Sequence, residues 1–158
     1  MSKVKLLLAA AVLAGTAGLV AAADAVTADL KSFKWKAAFE GGESLGGYDE
    51  GQDRFFFYTN GTATGEVTVP DDGEYKVTVE AACDEAKKVF AAFKLTVGDV
   101  VVAKEHFLKD TDQKPYTFTA KLKKGKQKLV IEFLNDEFKE GEYDRNLFVH
   151  SVKLEPKK

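Results

Sequence analysis

Short stretches in which apolar and polar residues alternate recur along the chain from residue 33 onwards, and glycine-containing turns separate them. Alternation with a period of two is typical of half-buried strands. The strand candidates are residues 33–39, 64–69, 74–81, 89–97, 100–104, 116–122, 128–134 and 147–154. Residues 84–88 suggest a helix, but that segment is too short to be stable alone. Many short strands without intervening helices predict an all-β fold, an antiparallel β-sandwich.

The first strand candidate and the segment after it have contrasting patterns. In residues 33–39, Phe33, Trp35 and Phe39 share one face, so we expect Trp35 to pack in the core and not against a ligand. Residues 40–52 contain five glycines, a content that excludes a helix. They predict an acidic loop.

The beginning of the chain has the composition of a secretory signal peptide. Lys3 and Lys5 precede the apolar residues 6–13, and a stretch of small residues follows. Cleavage after Ala23 and cleavage after Ala25 are equally compatible with this stretch. We therefore expect a signal peptide at 1–23, a short flexible lead-in at 24–32 and a single β-sandwich domain at 33–156. Such a protein would be secreted or periplasmic.

The charge balance excludes two classes of partner. The chain has 23 Lys and Arg against 25 Asp and Glu, and loss of Lys3 and Lys5 with the signal peptide makes it more acidic. Proteins that bind nucleic acid or anionic membranes by charge are basic. We expect no nucleic-acid partner, and no membrane partner after signal cleavage. Cys83 is the sole cysteine, which excludes an internal disulfide and fits a buried small residue.

The sequence offers little for catalysis. It contains no G-x-S-x-G motif, no cysteine near a histidine and no glycine-rich phosphate loop, and His106 and His150 are isolated. A glycosidase needs two carboxylates across a cleft, and nothing marks such a pair here. We expect that the protein is not an enzyme.

An acidic loop at residues 135–146, N-D-E-F-K-E-G-E-Y-D-R-N, lies between two apolar strand candidates. Its five carboxylates are Asp136, Glu137, Glu140, Glu142 and Asp144. Like charges this close raise each other's pKa, so the carboxylates either spread into water or share a cation. Oxygen ligands on a flexible loop suit calcium, although Lys139 and Gly141 break the EF-hand pattern. Composition alone favours a solvated loop in which Arg145 pairs with its neighbours.

The residues on both sides of this loop carry a resemblance to a known family. F-L-N-D at 133–136 and D-R-N-L-F-V at 144–149 resemble the "F-x-N-D … D-R-N-L-[YF]-V" ending of the calcium-dependent xylan-binding carbohydrate-binding modules of families 36 and 60. V-P-D-D-G-E-Y at 69–75 and K-K-G-K-Q-K-L-V-I at 123–131 resemble a turn and a hairpin of the same modules. The resemblance implies a jelly roll that binds xylan or a related β-glycan without catalysis.

In the family, carboxylates and main-chain carbonyls hold a calcium ion whose open positions are filled by a vicinal diol of the glycan. Mapped onto this sequence, the resemblance implies Asp136, Asp144 and the carbonyl of Tyr143 as metal ligands, with Arg145 and Asn146 shaping the loop. Weaker metal candidates are Glu137, Glu140, Glu142, Glu40 and Glu43. His150 stands where the family often has Asp, which puts a second, structural calcium in doubt.

Two further readings stay open at this point. The chain could be an exported structural or adhesion domain whose calcium, if present, only stiffens a loop. A small-molecule hydrolase is a third reading. Because modules of this family are usually appended to hydrolases, a separate secreted glycoside hydrolase is a possible partner.

Overall fold

Two antiparallel β-sheets stack face to face around a common core in the computed structural model, which describes residues 24–157. The all-β sandwich prediction is confirmed. The predicted signal peptide lies outside the described residues. Within 24–157, no helix is long and apolar enough to cross a membrane.

The strands are β1 Val26–Thr27, β2 Lys34–Ala37, β3 Gly46–Asp49, β4 Arg54–Phe57, β5 Gly61–Val69, β6 Gly73–Cys83, β7 Ala92–Val97, β8 Val100–Phe107, β9 Lys114–Leu122, β10 Gly125–Phe133, β11 Phe138–Lys139, β12 Tyr143–Asp144 and β13 Leu147–Pro156.

The strand order places the acidic loop between the centres of the two sheets. One sheet has the order β3-β4-β13-β6-β9, with β1 also paired to β13, and the other has the order β2-β5-β10-β7-β8. Strand β10 enters the loop and β13 leaves it, and each is the middle strand of its sheet. The loop is therefore anchored at both ends in a central strand that is paired on both sides.

The core forms where the inward-facing residues of the two sheets meet. Phe57 of β4 and Phe133 of β10 are at most 1% exposed, and their rings pack edge to face with centroids 6.5 Å apart. Burying one such side chain contributes about 1.5–3 kcal/mol. Cys83 is also buried, as we expected of a lone cysteine from the sequence.

Residues 24–32 do not form the flexible lead-in that we expected. In the structure, Val26 and Thr27 pair with Leu154 and Lys153 of β13. A short 3-10 turn follows at Leu30–Ser32, and Leu30 is buried in the core. The small, polar composition of the segment did not predict this packing, because one large apolar side chain, Leu30, is enough to anchor the segment in the core.

Residues 40–52 include an edge strand, which our loop prediction missed. Strand β3 pairs with β4 through Gly46 and Phe57 and through Gly47 and Phe56. A Cβ at Gly46 would overlap the indole ring of Trp35. Gly46 therefore allows close packing against a bulky side chain, whereas in the sequence alone the glycines of this segment indicated only a loop.

Strand β4 was also missed, because Arg54-Phe55-Phe56-Phe57 does not alternate in polarity. Its burial does alternate: Phe55 and Phe57 face the core, while Arg54 and Phe56 lie on the outer face. The segment at 84–88 is no helix either, since Lys87 and Lys88 both have positive φ in a turn closed by the Ala86 and Val89 backbones.

The tight packing around Trp35 generates a stability prediction. A Cβ at Gly61 would lie 2.5 Å from the carbonyl oxygen of Lys36 and would overlap the indole, whereas a Cβ at Gly73 would meet nothing within 4 Å. We expect Gly61→Ala to lower the free energy of unfolding by about 1–3 kcal/mol. The matched control Gly73→Ala should stay within about 0.5 kcal/mol of wild type in urea unfolding. Equal effects of the two changes would contradict the packing role of Gly61.

A half-buried histidine generates a pH prediction. His106 packs against the rings of Phe93, Tyr116 and Phe118, its Nε2 has no partner, and burial lowers its pKa. Below about pH 6.5 the unfolded chain protonates this imidazole before the folded chain does, so stability is lost as the pH falls.

We expect a lower melting temperature at pH 5 than at pH 7 in the wild type. His106→Phe should reduce this difference without abolishing it, because burial also lowers the pKa of His150. Thermal melts of both proteins in chelator check this. An unchanged pH difference in the variant would show that His106 does not contribute.

Candidate functional site

The acidic loop is an ordered hairpin. Strands β11 and β12 pair through Phe138 with Asp144 and through Lys139 with Tyr143. The amide of Glu142 donates to the carbonyl of Lys139, and Gly141 adopts a φ of 73° at the tip. The hairpin fixes which carboxylates face each other.

Arg145 attaches this hairpin to the neighbouring turn at residues 86–89. Its side chain is 4% exposed, and it donates to the carbonyl oxygens of Val89 at 2.8 Å, Ala86 at 2.6 Å and Asn135. The partners are main-chain carbonyls, so the guanidinium neutralises no carboxylate directly. The loop-shaping role expected of Arg145 from the sequence stays a prediction.

Asparagines on both sides of the hairpin complete the attachment. Asn135 accepts from the amide of Ala92 at 2.7 Å and donates to the carbonyl of Phe90 at 3.0 Å. Asn146 donates to the carboxylate of Asp84 at 2.9 Å. Asn146 thus binds the protein and not a ligand through its amide nitrogen. Sequence reasoning missed Asn135, which the F-L-N-D motif itself contains.

A pocket of about 460 Å³ brings two of the predicted ligands together. Asp136 and Asp144 both line it, one from before the hairpin and one from its second strand. The hairpin also contributes Phe138, and two distant parts of the chain contribute the remaining lining residues: Phe39, Leu45, Tyr58 and Thr59.

Asp136 is the most unusual charged group of this pocket. Its Oδ1 atom is buried without a hydrogen-bond partner. Burial raises the pKa of Asp136, the charge of Asp144 raises it further, and a hydrogen bond with Thr59 acts in the opposite direction. The amide of Asp136 is held by the side-chain oxygen of Asn60 at 2.8 Å. Burial and the charge of Asp144 both destabilise the ionised form of Asp136. A cation near Oδ1 would counteract both, and a carboxylate oxygen is a ligand that suits a hard metal ion.

The other carboxylates of the hairpin do not point to this pocket. Glu137 pairs with Lys87 at 2.5 Å, which lowers the pKa of the carboxyl, and Glu142 pairs with Lys139 at 2.5 Å. Glu140 is exposed on the hairpin tip. Across residues 24–157, no group of three or more His, Cys, Asp and Glu side chains is placed to hold a metal ion. A calcium ion here would need neutral oxygens as its further ligands.

The remaining sequence candidates lie nearby but outside the pocket. Glu40 and Glu43 line a separate hollow beside Trp35. Tyr143 is half-buried, and the ammonium of Lys87 lies 5.2 Å from the centre of its ring. The proposed ligand role of the Tyr143 carbonyl stays a prediction.

Exposed aromatic rings surround the pocket, and sequence reasoning did not single them out. Phe39 is 53%, Tyr58 42% and Phe138 66% exposed. Large apolar side chains are this exposed only at some cost unless they meet a partner. Phe138 could have been noticed as an aromatic residue among acidic ones, but nothing local links it to Phe39 or Tyr58.

Comparison with known proteins identifies the family. The model of CBM60, a Ca-dependent xylan-binding carbohydrate-binding module, matches residues 76–158. This span is more than half of the chain and contains both pocket aspartates and Arg145. The chain belongs to the CBM60 family. The resemblance read from the D-R-N-L-F-V motif is confirmed, and the protein is a carbohydrate-binding module.

Solved structures show that the fold of this module is shared more widely than its sequence. The CBM36-1 domain of a multidomain xylanase from the hindgut metagenome of Trinervitermes trinervoides has 11% identity and a TM-score of 0.58, over 85% of this chain and 98% of that one. A CBM36 module in complex with calcium and xylotriose has 14% identity and a TM-score of 0.54, over 84% and 99%. A family 35 module from Clostridium thermocellum has 13% identity and a TM-score of 0.53, over 85% and 100%. No curated protein matches the chain in sequence.

The buried guanidinium generates a prediction about the module's stability. Arg145→Met keeps most of the side-chain volume but leaves the carbonyls of Ala86, Val89 and Asn135 without this donor. We expect the free energy of unfolding to fall by about 2–4 kcal/mol, because unpaired buried polar groups are costly. The control Lys139→Met removes an exposed ion pair and should change stability by less than about 1 kcal/mol. Urea unfolding of both variants measures this, and similar small effects would contradict the anchoring role.

Proposed function

We propose that this module binds xylan or a related polysaccharide without catalysis, through a calcium ion held at the pocket of Asp136 and Asp144. The observation that carries the proposal is the buried, unpartnered Oδ1 of Asp136 beside a second carboxylate and exposed aromatic rings. Membership of a calcium-dependent xylan-binding family supports it, as does the fold shared with a CBM36 module crystallised with calcium and xylotriose.

The two aspartates would hold the metal together with neutral oxygens: the hydroxyl of Thr59, which also lines the pocket, and the Tyr143 carbonyl that the family resemblance implies. When bound, calcium supplies coordination positions that a vicinal diol of the sugar can fill in place of water. The unpartnered Oδ1 of Asp136 suits a metal ligand because it is already removed from water in the folded protein. Binding a metal would therefore add little further cost of desolvation. Glu137 and Glu142 are held by lysines and would only add to the negative field.

The rings of Phe39, Tyr58 and Phe138 would contact the apolar faces of the sugar units. Aromatic side chains bury a large area with few rotatable bonds, so they contribute affinity at a small entropic cost. A pocket of this size encloses little of a polymer, and affinity for one site should be weak, near millimolar. Retention on a polysaccharide would then depend on many equivalent diols along one chain.

Binding without turnover is the role that the residues support. Asp136 and Asp144 would both be occupied by the metal, which leaves neither as a general acid for glycoside cleavage. We further propose that the protein is exported, which its N-terminal sequence predicts, and that it acts beside a separate secreted glycoside hydrolase.

Calcium and two substitutions test the proposal. Calcium in hundredfold excess over its dissociation constant should raise the stability of the wild type by about 2.7 kcal/mol relative to chelator. Asp136→Ala and Asp144→Ala should lose this increase and lose retention on immobilised xylan. In chelator, Asp136→Ala should be at least as stable as the wild type, because it removes a buried oxygen that has no partner.

Glu140→Ala is the matched control, since it removes an exposed carboxylate of the same hairpin. It should keep both the calcium-dependent melt and the retention on xylan. Glycan binding that persists in chelator while the melt shifts would assign calcium a purely structural role. An unchanged melt with calcium would argue against any metal site.

A further inference from the structure

Aromatic side chains continue from the pocket across the outer face of the sheet that contains β4 and β13. Tyr58 lines the pocket, and its ring centroid lies 4.7 Å from that of Phe56 and 6.3 Å from that of Phe148. Phe56 and Phe148 are also cross-strand partners in the sheet. These three rings, here called the aromatic strip, make the pocket continuous with the outer face of β4. Tyr58 is exposed and Phe56 half-buried, whereas Phe148 is only 8% exposed, because the Arg54 side chain lies over its ring, so a ligand would meet Tyr58, Phe56 and the guanidinium.

Arg54 lies at the end of the aromatic strip that is remote from the pocket. Its guanidinium carbon is 3.8 Å from the centre of the Phe148 ring, a stacked cation-π contact. Its Nε is buried without an acceptor, and within residues 24–157 no carboxylate forms an ion pair with the side chain. By contrast, Lys76 on the same sheet pairs with Glu155 at 2.7 Å.

We propose that a polysaccharide bound at the pocket continues along the aromatic strip, and that Arg54 binds the carboxylate of a uronic acid substituent on it. This inference rests on the proposed function and adds to it a substrate class, an acidic xylan. The continuity of the strip with the pocket, through Tyr58, selects the glycan itself as the occupant of this face.

The chemistry of the side chain matches a carboxylate in particular. A guanidinium is always charged, and its planar fork of N–H donors meets both oxygens of a carboxylate at once. Stacking on Phe148 fixes the plane of that fork before a ligand arrives, which lowers the entropy lost on binding. A neutral sugar hydroxyl would gain less from the same group.

The distances along the strand suit an oligosaccharide. Arg54 and Tyr58 are four positions apart on one strand and its extension, a separation of about 13 Å at 3.3 Å per residue. Both face outwards because Phe55 and Phe57 between them face the core. A short run of sugar units that starts at the pocket therefore reaches Arg54.

The carboxylates near Arg54, within the residues that the structure describes, do not form an ion pair with its guanidinium. Asp53 accepts a hydrogen bond from the hydroxyl of Tyr48. Burial and then the charge of Arg54 lower the pKa of His150 in β13, while the charges of Glu80 and Asp53 raise it. The guanidinium therefore remains available for an anion that comes from outside the protein.

The test compares one xylan in two chemical forms. A soluble xylan with uronic acid substituents is used as isolated, and a second sample is used after its carboxyl groups have been reduced to alcohols. Affinities are measured by titration calorimetry with saturating calcium. We expect the wild type to bind the acidic form about fivefold more tightly than the reduced form, and less so in high salt.

Two matched variants assign the preference to Arg54. Arg54→Met removes the charge but keeps an apolar chain over Phe148, and it should abolish the difference between the two xylans. Lys121→Met removes an exposed charge at the far edge of the same sheet and should keep the difference. Melting temperatures of both variants are compared with the wild type beforehand.

Several outcomes would overturn the inference. Equal affinities of the wild type for the two xylans would do so, and so would a preference that survives in Arg54→Met, since the metal would then be the carboxylate's partner. A preference in the wild type that persists in high salt would also exclude an exposed ion pair, even if Arg54→Met does not fold. Calcium-dependent binding of the reduced xylan would leave the proposed function standing in each case. Failure of the wild type to bind either form would overturn both.

Discussion

The buried guanidinium of Arg145 is the contact on which the site depends. It donates to the carbonyls of Ala86, Val89 and Asn135, so a single side chain joins the turn at 86–89 to both ends of the hairpin. The backbone amide of the same residue donates to the carbonyl of Glu137 at 3.0 Å. Because a buried arginine is stable only when its donors are satisfied, the hairpin and the turn can hold only this relative position.

The hairpin separates four of its five carboxylates into two groups, and the fifth, Glu140, is exposed at the tip. Glu137 and Glu142 are neutralised by lysines, whereas Asp136 and Asp144 face one pocket without a cationic partner. Negative charge is therefore concentrated at the place where exposed aromatic rings also meet. Unbalanced charge beside apolar surface costs stability in the absence of a ligand, and it is the arrangement expected of a site whose partners are a metal and a sugar.

Sequence patterns predicted the strands that alternate and missed those that do not. Residues 74–81 and 128–134 alternate because one face of each strand is buried, and the structure places β6 and β10 there. Strand β4 is aromatic on both faces, since Phe56 lies outside, opposite Phe148 in the strand pairing, while Phe55 and Phe57 pack inside. Strand β3 contains Gly46, which leaves room for the Trp35 indole, and glycine in this packing role cannot be told from glycine in a loop by composition.

By itself, the sequence determined the fold class and the family. Strand alternation and the D-R-N-L-F-V motif are patterns of neighbouring residues, so they can be recognised without a structure. It also identified Asp136 and Asp144, which the structure places in one pocket. Only the tertiary structure decided that Glu40 and Glu43 lie outside that pocket and that Phe39, Tyr58 and Phe138 surround it. The physical reason is that these rings lie on segments far apart in the chain, and their meeting depends on strand pairing and register across both sheets, which no local pattern encodes.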